Sequence, residues 1–191
     1  MHLKALFGEV AMPSTVMREF LSEDNLNLHL RHMRNEANKY SILEKSIKGL
    51  HGCSVRDIPH LRIGAKERDE AVNLLCYIES HRSYFDSFAI LKKKCSNIRR
   101  YFGSEEKLLY EIYEQTRAEK GGFLYVYIER NHPKIKVMDP VAAYVGYFPI
   151  LALDLDEHAY FLDYAFDKQR YLRSAISYLN LEKVDKALTL S

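Results

Sequence analysis

An apolar run leads directly into a polar, helix-forming segment in the stretch Pro149-Ile150-Leu151-Ala152-Leu153-Asp154-Leu155-Asp156-Glu157-His158. Residues 149–153 predict a short buried β-strand, and the residues from Glu157 onward predict a helix. Asp154 and His158 therefore lie where the strand gives way to the helix. In this position a carboxylate and an imidazole one helical turn apart can converge on a single cation.

Two further strands are predicted before this stretch. Residues 123–128 are rich in aromatic and β-branched side chains, and residues 134–138 alternate polar and apolar side chains, as strands do. The tripeptide Asn131-His132-Pro133 predicts the turn between them. The three strands are therefore expected to form an antiparallel sheet.

The residues before the strands follow helical spacing. A first helix is predicted to begin after Ser22, which suits an N-cap, and to end near Gly49. A second helix is predicted over residues 65–95 and a third over residues 105–119, before the glycine pair that follows.

The order of these elements predicts an α+β fold. We expect a long N-terminal helical hairpin followed by a C-terminal α/β half that contains a three-stranded antiparallel sheet. The predicted boundary divides the chain into a helical hairpin domain of residues 1–97 and a mixed domain of residues 98–191. A chain of 191 residues makes one or two small domains and is long enough to bury a sizeable core.

Composition narrows the classes of function. A net charge of +2 gives no basic surface of the kind that binds nucleic acid or an anionic membrane. Three cysteines without a C-x-x-C pair predict reduced thiols. The N-terminal residues carry Glu9 and lack a long apolar core, so no signal peptide is expected. We therefore expect a cytoplasmic protein.

Two more histidines qualify as metal ligands. His29 and His81 each lie within a long predicted helix, on or beside its apolar stripe. A buried imidazole without a partner costs about 1–3 kcal/mol, and a metal ion satisfies that need. Three imidazoles and a carboxylate suit Fe, Mn or Zn better than Ca or Mg. Spacing alone does not join these histidines to Asp154 and His158, and each could equally be an ordinary core or surface histidine.

The sequence also resembles a known family. Residues 154–160 resemble the D-x-W-E-H-A-Y signature of the iron/manganese superoxide dismutases, which carries two metal ligands. Residues 21–29 resemble the start of that family's first ligand helix, and residues 80–85 resemble its N-H-x-x-F-W segment. Residues 121–125 resemble its G-W-x-W-L strand. The resemblance extends from about residue 13 to residue 187.

The resemblance implies one Fe or Mn ion per chain, held between the two halves of the fold. The ligands it implies are His29, His81, Asp154 and His158. The implied reaction converts superoxide to O₂ and hydrogen peroxide, and the substrate is superoxide or another small oxidant.

The resemblance also implies a homodimer. In the family the glutamate of E-H-A-Y reaches the ligand histidine of the other subunit, and that residue is Glu157 in this chain. The tyrosine that follows, Tyr160, pairs in the family with a helix histidine that is replaced by Met33. We therefore predict a homodimer that keeps one of two bridges and is weaker than those of its relatives.

Several neighbours of the implied site depart from the family. Ala37 stands at the position of the family's gateway tyrosine, and its glutamine aligns with either Tyr77 or Asp139. The sequence contains no tryptophan, and other residues occupy three of the family's tryptophan positions, namely Phe85, Asp156 and Leu181. Lys168 aligns with the family's funnel arginine and is expected to steer an anionic substrate as a point charge.

Two questions stay open from the sequence. His32 and Tyr40 keep the family's ligand-to-tyrosine spacing, so His32 is an alternative to His29 as the first ligand. The function is either that of an atypical superoxide dismutase, that of a metalloprotein with another redox or sensing role, or that of a non-catalytic structural homologue. Retention of all four ligand types favours the first two, and the missing tyrosine weighs against the first.

Overall fold

The protein is known from a computed structural model, which describes residues 15–91, 93–130 and 132–189. Its regular elements follow the predicted order of helices, strands and helices. They are α1 (Glu23–Ser46), α2 (Ala65–Phe85), α3 (Ser96–Phe102), α4 (Glu105–Thr116), β1 (Phe123–Glu129), β2 (His132–Met138), α5 (Pro140–Gly146), β3 (Pro149–Asp154), α6 (Phe161–Tyr164), α7 (Lys168–Ser177) and α8 (Leu181–Ala187). Short 3-10 turns at Thr15–Glu19, Ile58–His60 and Glu157–Ala159 complete them.

The two long helices form the predicted hairpin. The side chain of Ser22 accepts a hydrogen bond from the Asn25 backbone at 3.2 Å, which is the expected N-cap of α1. Glu23 and Asp24 follow in the first turn, where negative charge is favourable. Helices α1 and α2 pack against each other along their buried faces, so the hairpin is confirmed.

Helix α2 ends at Phe85, well before the predicted end at Cys95. The helix ends there because backbone groups of the residues that follow pair with another segment of the chain. The Ala89 amide donates to the Tyr178 carbonyl at 2.9 Å, and Phe88 forms a β-bridge with Leu179. These pairings replace the helical hydrogen bonds that a longer α2 would have made.

The sheet has the order β2-β1-β3, and both pairs of strands are antiparallel. The predicted three-stranded antiparallel sheet is therefore confirmed. Strand β1 is central and fully buried over its first five residues. Its first residue, Phe123, lies opposite Asp154 at the end of β3. Strand β2 begins at His132 instead of the predicted 134, and it tolerates Pro133 because it lies at the edge of the sheet.

The sequence prediction missed the short helix α5 between β2 and β3. Asp139 caps it, with its Oδ1 atom accepting a hydrogen bond from the Val141 amide at 2.7 Å, and Pro140 occupies the first helical position. An aspartate followed by proline is a helix-start signal, but the seven-residue helix has too little periodicity to stand out.

Helix α2 connects the hairpin to the sheet. It packs against β3 and α5, while α1 packs against α6 and the turn Glu157–Ala159. The end of β3 therefore lies beside both long helices. Within the described ranges, no helix combines the length and the apolar composition that crossing a bilayer requires. The division at residue 97 stays a prediction.

Candidate metal centre

Four side chains from separate segments meet where the hairpin contacts the sheet. His29 comes from α1, His81 from α2, Asp154 from the end of β3, and His158 from the turn Glu157–Ala159. One potential ligand atom from each lies within 4.8 Å of all the others. His29, His81 and Asp154 are fully buried, and the side chain of His158 is 19% exposed.

The atoms converge on one carboxylate oxygen. Asp154 Oδ2 lies 3.1 Å from His29 Nε2, 3.1 Å from His158 Nε2 and 3.6 Å from His81 Nε2. The Nε2 atoms of His81 and His158 are 3.2 Å apart. Three nitrogen atoms and one oxygen atom thus face a common space, as a ligand set for a single ion would.

Neighbouring groups hold two of these side chains in place. Asp154 Oδ1 accepts a hydrogen bond from the Asp156 amide at 2.9 Å, which leaves Oδ2 to face the imidazoles. The Asp154 carbonyl accepts from the Tyr171 hydroxyl at 2.9 Å. His81 Nδ1 lies 2.9 Å from the Tyr77 carbonyl, which can only accept. Nδ1 therefore carries the proton, and the lone pair of His81 Nε2 is free to bind a metal.

Unsatisfied polar atoms show that the cluster fits a cation. Within the described chain, His29 Nδ1, His29 Nε2 and Asp154 Oδ2 are buried and have no aligned hydrogen-bond partner. His29 Nε2 and Asp154 Oδ2 are close enough for an ion pair, but their geometry is not that of a hydrogen bond. Buried polar atoms are rarely left unpaired, and a shared ion satisfies both Nε2 and Oδ2. The nitrogen-rich donor set suits Fe, Mn or Zn better than Ca or Mg.

Protonation equilibria favour metal binding at two of the histidines. Burial lowers the pKa of His81 to about 3 and also lowers the pKa of His29. Burial opposes ionisation of Asp154, but polar contacts with His158 and His29 outweigh it and hold the pKa of that carboxyl below its usual value. Burial likewise opposes protonation of His158, but Asp154 outweighs it and raises the pKa of His158. His29 and His81 are therefore neutral at physiological pH, as metal ligands must be.

Aromatic side chains surround the cluster. The His29 ring lies 4.9 Å from both the Tyr84 and Phe85 rings, and the His81 ring lies 5.2 Å from Phe123. The Tyr84 hydroxyl is 3.2 Å from that of Tyr171, which in turn bonds the Asp154 carbonyl. Sequence analysis did not assign Tyr84, Phe123 or Tyr171 to the site. Tyr84 could have been found from its position three residues after His81, on the same helix face, whereas Phe123 required the sheet register.

Comparison with known proteins identifies the family. A family model described as "Iron/manganese superoxide dismutases, C-terminal domain" matches residues 90–187, which is just over half of the chain. The chain belongs to the iron/manganese superoxide dismutase family. The matched region contains Asp154 and His158, and the fold brings His29 and His81 to them from the N-terminal hairpin. The cluster thus matches a superoxide dismutase metal site.

The structure distinguishes the two candidate histidines of α1. His29 is in the cluster, whereas His32 lies at its rim, with its ring 4.2 Å from that of His158. His32 Nε2 forms a hydrogen bond with the Tyr77 hydroxyl at 3.1 Å. The structure therefore groups His29, and not His32, with His81, Asp154 and His158.

The residues that replace family neighbours have other partners. The Tyr77 ring packs 4.5 Å from that of His81, while Asp139 caps α5. Asp156 Oδ1 accepts from the Gly122 amide at 2.7 Å, so it ties the cluster to the start of β1. Lys168 is half-buried and donates to the Glu119 carbonyl at 2.9 Å.

The two residues that the resemblance places at the dimer interface, Glu157 and Tyr160, lie beside His158 in the sequence. Glu157 is exposed. Tyr160 is buried and stacks on Tyr171, with ring centroids 4.8 Å apart. Met33, its expected counterpart, is buried within the protomer at 1% exposure.

Proposed function

We propose that this protein catalyses the dismutation of superoxide to O₂ and hydrogen peroxide, with one Fe or Mn ion per chain bound by His29, His81, Asp154 and His158. The observation that carries the proposal is the convergence of these side chains, with unpaired buried ligand atoms facing one another. Membership in the superoxide dismutase family supports superoxide as the substrate.

The protein's contribution is binding and orientation. The Tyr77 carbonyl fixes the His81 tautomer, and the Asp156 amide fixes the Asp154 carboxylate. A bound ion supplies one-electron redox chemistry, so that one superoxide is oxidised to O₂ and another is reduced, with two protons, to hydrogen peroxide. The ligand set carries a single negative charge, that of Asp154, so a divalent or trivalent ion leaves the centre positive and attractive to an anion. Lys168 is proposed to add to this attraction.

We also propose that the protein is a homodimer. Phe161, Leu162 and Phe166 are exposed by 41%, 55% and 90%, and they adjoin the exposed Glu157. Exposed apolar side chains of this size, grouped beside the site, favour contact with a second copy. In that arrangement Glu157 would bond the partner's ligand histidine across the two-fold axis and orient its ring.

One observation favours a second candidate, a metalloprotein that acts on another small oxidant. A cavity beside the cluster is lined by the carboxylates of Glu36 and Asp139 and, within the described ranges, by no lysine or arginine. Such a lining does not attract an anion.

The decay of superoxide decides between these candidates. Purified protein loaded with iron, and separately with manganese, is mixed with superoxide, and its disappearance is followed optically. We expect catalytic decay by at least one metal form and loss of that catalysis in Asp154→Ala. Free metal at the same concentration is the control. A fully metal-loaded wild type that is no faster than Asp154→Ala would favour the second candidate.

A further inference from the structure

Asp156 is not among the clustered ligands, yet it holds the chain on both sides of its own side chain. Its backbone amide donates a hydrogen bond to Asp154 Oδ1 at 2.9 Å. Its side-chain Oδ1 atom accepts a hydrogen bond from the Gly122 amide at 2.7 Å. One residue thus connects the ligand carboxylate to the chain at the start of the central strand β1.

A backbone hydrogen bond joins the same two segments. The Leu155 amide donates to the Gly122 carbonyl at 2.9 Å, and Asp154 lies opposite Phe123 in the sheet. The sheet and this bond hold the backbone of β3. The side chain of Asp156 adds a separate restraint, because it fixes the residue whose amide bonds Asp154 Oδ1. Its loss would free that amide without breaking the sheet.

The orientation of the Asp154 carboxylate decides which oxygen the imidazoles meet. Oδ2 lies 3.1 Å from the Nε2 atoms of His29 and His158 and 3.6 Å from that of His81. Rotation of the carboxylate would move Oδ2 away from these nitrogen atoms. A hydrogen bond to Oδ1 opposes this rotation, which is how neighbouring groups orient metal ligands.

The contact between Asp156 and the start of β1 requires a glycine at position 121. A Cβ atom added to Gly121 would lie 2.4 Å from Asp156 Oδ1, which is too short for any real contact. Gly121 does not have a positive φ, unlike Gly122. The close approach of Asp156, and not the backbone conformation, is therefore what an alanine at position 121 would disturb. The carboxylate would have to move away from the Gly122 amide.

We propose that Asp156 is a positioning residue of the metal centre: its side chain, bonded to the Gly122 amide beside Gly121, holds the backbone amide that orients Asp154 toward the ion. This inference rests on the metal centre of the proposed function and adds a residue outside the ligand set that controls how tightly the ion is held. The role depends on accepting a hydrogen bond and not on charge, so an amide oxygen at position 156 should serve equally well.

Release of the bound metal to a chelator measures this role without measuring catalysis. Protein loaded with iron, or with manganese if the wild type holds no iron, is mixed with excess EDTA, and the metal that stays bound is measured over time. Asp156→Ala should lose its metal about tenfold faster, as when a metal ligand loses a group that orients it. Asp156→Asn keeps an oxygen for the Gly122 amide and should release the metal at the wild-type rate.

The electron paramagnetic resonance spectrum of the bound iron(III) or manganese(II) gives a second readout. This spectrum depends on the arrangement of the ligands around the ion. It should change in Asp156→Ala, because the Asp154 carboxylate is no longer held in one orientation. It should be unchanged in Asp156→Asn.

Gly121→Ala tests the same contact from the other segment. We expect release about as fast as in Asp156→Ala, because the added methyl group displaces the carboxylate from the Gly122 amide. In Asp156→Ala the obstructing oxygen is absent, so adding Gly121→Ala to it should cause no further acceleration. Two changes that act through one contact are non-additive in this way.

Two matched controls should release the metal at the wild-type rate. Asp57→Ala also removes an aspartate oxygen from a backbone amide, that of Ser54 at 2.8 Å, but away from the cluster. Gly146→Ala adds a methyl group at a glycine where a Cβ atom would meet no neighbour within 4 Å.

Metal content and circular dichroism are measured on every variant first. Wild-type release in folded Asp156→Ala and Gly121→Ala would overturn the positioning role and leave the metal centre standing. Release in Asp156→Asn as fast as in Asp156→Ala would also overturn it. If Asp156→Ala does not fold, Gly121→Ala against Gly146→Ala decides the question. A wild type that binds no iron or manganese would overturn the proposed function, and the positioning role with it.

Discussion

Two histidines one helical turn apart on α1 have different surroundings. His29 is fully buried against Tyr84 and Phe85 and joins the cluster, whereas His32 is partly exposed and bonds Tyr77. Helical spacing places both on neighbouring parts of one face. The sequence therefore could not decide between them by periodicity, and only the packing of α2 on α1 does so.

This contrast gives a first prediction. His29→Ala should abolish stoichiometric metal binding, because it removes a buried ligand that water cannot replace in a closed site. His32→Ala should retain the metal, because His32 lies outside the cluster. Elemental analysis of both purified variants tests the assignment, and loss of metal from His32→Ala alone would reverse it.

Substitution of the other candidate ligands should also lower the metal content. His81→Ala and Asp154→Ala should each hold the metal at well below half occupancy, since each removes one of four converging atoms. Tyr125→Phe is a suitable control, because it removes a buried hydroxyl that bonds Ser80 next to His81 without touching the ligands. Stoichiometric metal in both ligand variants would refute the site.

Among the secondary-structure elements, the sequence pattern predicted the strands and the long helices better than the connections between them. The junction between Asp154 and His158 was predictable because the apolar run of the strand ends where the polar, helix-forming segment begins. The end of α2 was not, because it depends on the pairing of Ala89 with Tyr178, far away in sequence. Helix α5 depends on a local aspartate-proline start that periodicity does not detect.

The start of α4 illustrates such a connection. Glu105 is buried and accepts hydrogen bonds from the Cys95 amide at 3.0 Å and from Arg99 Nε at 2.9 Å. It thereby holds the start of α4 against the first half of α3. These bonds, that from the Cys95 amide first, lower the pKa of Glu105.

We therefore predict that Glu105→Gln lowers the free energy of unfolding at neutral pH by about 1–2 kcal/mol. Folding lowers the pKa of Glu105. The contribution of its carboxylate to the free energy of unfolding is therefore complete above the unfolded-state pKa of about 4.3, and it is lost as the pH falls through the folded-state pKa. Urea denaturation at neutral and acidic pH measures it. Glu106 is exposed, so Glu106→Gln should lower the free energy of unfolding by less and serves as the control. Equal losses of stability in both variants would contradict the role given to the hydrogen bonds of Glu105.

At the scale of the whole molecule, the metal centre joins the two halves of the chain. His29 and His81 belong to the hairpin, whereas Asp154 and His158 follow the sheet. Neither half contains the complete ligand set. This arrangement was predicted from the family resemblance, since no spacing rule connects a helix near residue 29 to a turn near residue 158.

Assembly gives a prediction at the same scale. Glu157→Gln should weaken the homodimer and lower metal retention together, because the proposed bridge loses its charge while keeping its shape. Sedimentation velocity over a range of concentrations measures the dimer, and Glu111→Gln on the exposed face of α4 is the control. A wild type that is monomeric at micromolar concentration with full metal would refute the bridge.

We infer that this chain holds one redox metal ion at the cluster of three histidines and one aspartate. The most direct test is the metal content of the wild-type protein, purified after growth with added iron and manganese and measured by inductively coupled plasma mass spectrometry. We expect about one equivalent of iron plus manganese per chain. Folded protein that contains only traces of both metals, or that holds zinc at the cluster in their place, would contradict it.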